Sequence, residues 1–208
     1  MEILYLKVLK GENNITNLTE DPIPYRSSLT GSITDAYAEL VTSRISQGWT
    51  ACLVTFTFKR IPGPTASVRN RMLAGVSGFY SKILTRIVRR PRSSCSIDYL
   101  PLLIGSLDVP VHKQTKTSLR NWTVNGGLHA HAVLVIPPLS RLTGSVEVHI
   151  DRNAAIYRGR EIDRLDVRLI ADAADHERVL RYVLKAPLNG RLDTDESLII
   201  LPRARSEL

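Results

Sequence analysis

In the nine-residue run Ala51-Cys-Leu-Val-Thr-Phe-Thr-Phe-Lys59 the residues from Val54 onward alternate between apolar and polar along the chain. Successive strand residues point to opposite faces, so Cys52, Val54, Phe56 and Phe58 share one face and Leu53, Thr55, Thr57 and Lys59 the other. Pro62-Gly63-Pro64 breaks the run. Beyond it, with Thr65 as a candidate cap, Val68, Met72, Val76, Phe79, Ile83 and Ile87 recur at helical spacing, which predicts a long amphipathic helix. Its opposite face carries Arg69, Arg71, Lys82, Arg86 and Arg89.

The same reading places a strand in the first ten residues and a polar connection from Gly11 to Gly31. A helix follows from Ile33 to Gln47, built on Ala36, Leu40, Val41 and Ile45 and stopped by Gly48. Further strands are expected over Tyr99 to Leu107, Leu128 to Ile136, Val146 to Ile150 and Leu165 to Ile170, with a helix from Asp172 to Ala186 ended by Pro187. Strands arriving in antiparallel pairs between helices predict an α+β domain. With 208 residues and 43% hydrophobic content the chain suits one core, so a single domain is expected over residues 1–208.

The balance of 28 Lys+Arg against 20 Asp+Glu leaves a net charge of +8, which favours a polyanionic partner through phosphate neutralisation. Cys52 and Cys95 stand far apart with no metal-binding spacing, so neither a disulfide framework nor a structural zinc site is indicated, and a cytoplasmic protein is expected. The apolar run at the N-terminus is too short and interrupted for a signal peptide, and no stretch approaches the roughly 20 residues of a membrane span.

The chemistry concentrates in Asn125-Gly-Gly-Leu-His-Ala-His-Ala-Val-Leu-Val-Ile-Pro-Pro138. On a strand His129 and His131 fall on the same face, where two imidazoles can share one metal ion. Asp108 follows the strand Tyr99 to Leu107. If that strand pairs with the histidine strand, its carboxylate completes a site of two imidazoles and one carboxylate; the alternative is an Asp that opens the turn before Pro110. On the last helix, Tyr182-Val-Leu-Lys185 puts a phenol and an ammonium on one face, outside the apolar stripe of Val179, Leu180, Val183 and Leu184.

Three of these segments together resemble the HUH endonuclease superfamily, in particular rolling-circle replication initiators and transposon nucleases with a single Tyr-x-x-Lys motif. They are the strand Leu53-Val-Thr-Phe-Thr-Phe58, the motif His129-Ala130-His131 and the pair Tyr182 and Lys185. The resemblance spans Trp49 to Leu188, leaving 1–48 as a divergent N-terminal extension and 189–208 as a C-terminal tail. It implies a central antiparallel sheet of RNA-recognition-motif type, flanked by helices, with the histidines on a middle strand. Asp108 stands where such proteins more often have glutamate or glutamine, so the third ligand is open between Asp108, His112 and a residue of the last helix.

The implied activity is metal-dependent nicking and rejoining of single-stranded DNA, a hairpin included, with Mg2+ or Mn2+ as cofactor. Tyr182 is the implied nucleophile and Lys185 its helper, with a 5′-phosphotyrosine as intermediate. A free phenol, with a pKa of about 10, needs such help near neutral pH. Thr55, Thr57, Lys59 and, in the polar loop Pro110 to Gly127, Lys113 are candidate DNA contacts. No nucleotide-binding loop occurs in the sequence, so a separate helicase or polymerase would do any unwinding. The competing readings are a non-catalytic DNA- or RNA-binding regulator on the same fold and a zinc hydrolase that needs no tyrosine.

Overall fold

The computed structural model describes residues 25–92, 99–109 and 124–203. In chain order the elements are α1 (Tyr25–Ser46), β1 (Thr50–Phe58), α2 (Thr65–Ile87), β2 (Leu102–Asp108), β3 (His129–Ile136), α3 (Val146–Arg152), α4 (Ala154–Arg158), β4 (Ile162–Leu169), α5 (Ala173–Val183), the short α6 (Lys185–Leu188) and α7 (Thr194–Ser197), and β5 (Leu198–Leu201). The five strands form one antiparallel sheet in the order β4-β1-β3-β2-β5. The histidine strand β3 is therefore central, and the class is the α+β one that the sequence predicts.

Both faces of this sheet are covered. The apolar face of β1 meets α2, where Phe56 and Phe79 pack edge to face with ring centroids 5.1 Å apart. Burial of each such ring contributes roughly 2–3 kcal/mol, and their mutual geometry about 1 kcal/mol more. On the opposite face, Leu180, Val183 and Leu184 of α5 and its exit, with Val41 of α1, pack on Ala51, Ile104, Val133 and Val135. The stripe read from the sequence of α5 is the stripe that is buried.

Strands β2 and β3 approach closely at Gly105. A Cβ built there would lie 2.1 Å from the carbonyl oxygen of His131 and 2.5 Å from Cα of Ala132. Only glycine lets the two backbones come this near, and the approach brings Asp108 beside His129.

Several expectations need correction. Val146 to Ile150 is helical, because Val146, Val148 and Ile150 fit a period of two but Ser145 caps a helix there, its Oγ accepting from Val148 N at 3.3 Å. Val148 is 47% exposed while Ile150, four residues beyond Val146, is buried; this is the pattern of a helix lying on one side. The helix α1 begins at Tyr25, inside the stretch expected to be a polar connection; residues 1–24, with the strand expected in the first ten, lie outside the described residues. Part of the segment expected to be a tail, Leu198–Leu201, forms the edge strand β5 against β2.

The last helix also divides differently. α5 stops at Val183, and Pro187 sits inside the short α6 instead of ending a longer helix. Proline has no N–H to bond the carbonyl four residues back, which is that of Val183. That oxygen instead accepts the buried hydroxyl of Ser106 at 2.6 Å, tying the end of α5 to the sheet.

Candidate metal centre

The antiparallel registers assemble the site. Asp108 of β2 lies opposite His129, and His131 is flanked by Thr55 of β1 on one side and Ser106 of β2 on the other. Alternation puts both imidazoles on the face that carries α5, at the end of β3 just before the apolar contacts of Val133 and Val135 begin.

The two rings stand perpendicular, their centroids 4.7 Å apart. His129 Nδ1 is 3.0 Å from the carbonyl oxygen of Gly127, and the N–H it donates there leaves Nε2 free as a ligand atom, 3.6 Å from Asp108 Oδ2. His131 Nδ1 is 3.0 Å from Thr55 Oγ1, while its Nε2 lies 3.2 Å from the hydroxyl of Tyr182. In the tautomer whose Nδ1–H donates to Thr55, Nε2 accepts from the phenol or takes a metal.

Electrostatics favours a neutral His131. Burial pushes its imidazole down to about 4, His129 and Lys185 adding to the fall and Asp108 opposing it. An imidazole this hard to protonate keeps its lone pair near neutral pH, as a metal ligand must, and is a poor acceptor for a phenol's proton.

Asp108 is 2% exposed, and both its carboxylate oxygens are buried without a hydrogen-bond donor. Lys185 Nζ is 2.7 Å from Oδ2, an ion-pair contact whose angles do not make a hydrogen bond. Lys185 supplies one cation, but a buried carboxylate whose oxygens lack hydrogen-bond donors is still costly, and a metal ion would satisfy them. Ligand atoms of Asp108, His129 and His131 all lie within 4.8 Å of one another. Metal–ligand bonds of about 2.1 Å allow opposite ligands to stand roughly 4.2 Å apart, so small side-chain adjustments close the set around one ion. These residues fit a metal ion, and Asp108 is the last residue of β2.

Tyr182 meets the same group from α5. Its ring is 5.0 Å from that of His131, the residue is 42% exposed, and Lys185 Nζ sits 4.1 Å from its ring centroid. Although the helix breaks between them, Tyr182 and Lys185 converge as their spacing predicts.

The other expected residues fare variously. Thr55 is half-buried and engaged with His131, whereas Thr57 and Lys59 are exposed; His112 and Lys113 lie outside the described residues. Cations on the outer face of α2 are partly taken up in ties between elements, Arg71 with Glu161 at 2.9 Å, Arg69 with Glu196, and Lys82 Nζ donating to the carbonyl of Ile156 at 2.8 Å. The sequence does not flag Ser106 or Asn125. Asn125, in the left-handed region at φ 53°, accepts from Ile61 N and donates to Lys59 O, both at 2.8 Å, and so fixes the turn that delivers Gly127 to His129. An Asn-Gly-Gly turn before the histidines is the one signal that could have found it.

Comparison of the chain with protein-family models, with curated proteins and with solved structures finds no match. No helix among the described residues is long and apolar enough to cross a membrane.

Proposed function

We propose that this protein is a metal-dependent, single-tyrosine endonuclease of the HUH kind, which nicks and rejoins single-stranded DNA. The observation that carries the reading is the convergence of Tyr182 on the Asp108, His129 and His131 group, with its hydroxyl 3.2 Å from His131 Nε2. A metal hydrolase that activates water has no need of an exposed phenol and an ammonium at that position.

Asp108, His129 and His131 would hold a divalent ion, Mg2+ or Mn2+, and the imidazoles favour Mn2+. Bound there, such an ion supplies Lewis-acid polarisation of a phosphate oxygen. Tyr182 attacks phosphorus as the phenolate, its proton passing to solvent; the new bond joins its oxygen to phosphorus and the bond to O3′ breaks. O3′ takes a proton from water to become a 3′-hydroxyl, and the 5′-phosphate remains on Tyr182. Attack by a 3′-hydroxyl reverses these changes and rejoins the strand. Lys185 offers positive charge to the phenolate and to the phosphate beside it. Such chemistry suits replication initiation or transposition, with a separate helicase or polymerase as partner.

The test is incubation of the protein and Mn2+ with a diverse pool of labelled single-stranded oligonucleotides, followed by denaturing gels and mass spectrometry. A covalent adduct on Tyr182, absent in Tyr182→Phe and with chelator, is the expected result. DNA binding with no adduct across the pool would move the assignment to a non-catalytic DNA- or RNA-binding regulator.

A further inference from the structure

One carboxylate faces two cations. Asp108 belongs to the group that can hold a metal, and its Oδ2 is also 2.7 Å from Lys185 Nζ. The two partners differ in freedom. Asp108 is 2% exposed and rooted in a central part of the sheet, whereas the Lys185 side chain is 26% exposed, on a flexible four-carbon stem, with its ammonium also over the Tyr182 ring at 4.1 Å. The ammonium makes no hydrogen bond with the carboxylate, so no directional bond holds it there.

We propose that Lys185 and the divalent ion compete for Asp108, so that metal binding drives the ammonium off the carboxylate and releases it toward a phosphate at Tyr182. This rests on the reading of the site as a metal centre. A divalent ion and an ammonium on the same buried carboxylate repel each other in a medium that screens poorly. The side chain able to move is the lysine, and its cation–π contact keeps it beside the phenol while it moves. Metal loading and the readiness of Lys185 are then one event: a site without metal holds its helper cation against Asp108. Lys185 acts here as a positioning residue as well as a helper.

The experiment is a titration of the full chain with MnCl2, followed by electron paramagnetic resonance of free Mn2+, on the wild type, Lys185→Met and Asp108→Asn. Methionine keeps most of the stem and its packing over Tyr182 while removing the competing charge. Lys185→Met is expected to bind Mn2+ about tenfold more tightly than the wild type, and Asp108→Asn much more weakly. Equal or weaker binding by a folded Lys185→Met overturns the proposal while leaving the metal centre standing. Should that variant fail to fold, a measurement on the wild type decides instead. Acetylation of Lys185, quantified by peptide mass spectrometry, should rise several-fold on adding Mn2+; unchanged or reduced labelling overturns the proposal. Absence of Mn2+ binding in wild type and Lys185→Met alike removes the metal-centre reading and this proposal with it.

Discussion

Thr55 and His131 lie opposite each other in the β1–β3 ladder, and the threonine hydroxyl is 3.0 Å from Nδ1 of the imidazole. A residue on the neighbouring strand thereby orients the imidazole, and in the tautomer whose Nδ1–H donates to Thr55 it leaves Nε2 as the nitrogen that could take a metal.

Thr55→Val keeps the shape of the side chain and removes this hydrogen bond. It is expected to weaken Mn2+ binding roughly 10- to 100-fold, with a loss of folding stability of about 1 kcal/mol. Thr57→Val, two residues along and exposed, is the control and should change neither. Calorimetric titration and urea unfolding of the two variants give the comparison.

Folding stability should fall as the pH drops from about 6.5 to about 4. His131 is depressed in the folded chain to about 4 from an ordinary value of 6.5, so in that window the unfolded chain takes a proton that the folded chain refuses. The contribution is present in full above pH 6.5 and is lost as the pH falls through the folded value; a shift of this size corresponds to up to about 3 kcal/mol. Urea unfolding at pH 7.5 and pH 4 would show the fall. A His131→Asn variant whose stability has the same pH dependence as the wild type would contradict it.

Gly105→Ala should be severely destabilising, by about 3 kcal/mol or more, because its Cβ would meet backbone atoms of β3 that have no room to give. The strands would have to separate where Asp108 and His129 face each other. Chemical denaturation measures the loss, and a variant as stable as wild type would mean that the close approach of β2 and β3 is not required.

Ser106→Ala removes the bond to the carbonyl of Val183, a buried acceptor, at a cost of about 1–3 kcal/mol. Since that bond fixes the turn bearing Tyr182, adduct formation should slow by about tenfold or more while Mn2+ affinity changes little. Equal losses in both would show that the tie serves the metal ligands and not the position of the phenol.

Cys52 should resist alkylation in the folded protein. It is fully buried on the sheet, and burial, with Glu147 adding to it, pushes its thiol up to about 12. Iodoacetamide labelling followed by peptide mapping is expected to modify Cys52 only on denaturation.

Much of this molecule is legible in the chain. Alternation over Val54 to Lys59, the short apolar run that carries the two histidines, and the helical recurrence from Val68 to Ile87 reflect how side chains project from strands and helices, so element type and the shared face of the two imidazoles follow locally. Alternation fails where two periods agree over a short span. Val146, Val148 and Ile150 satisfy a strand, and only the capping of Ser145 and the exposure of Val148 identify a helix. The sequence offers Asp108 to the histidines only on condition that its strand pairs with theirs; which contacts form was decided by tertiary structure. That Asp108 meets His129, Thr55 meets His131, Ser106 meets Val183 and Lys185 meets Asp108 depends on strand register and on where α5 stops. Register is set by packing across the sheet, through Gly105 and the two covering layers, between segments up to 117 residues apart in the chain, as paired Cys52 and Leu169 are.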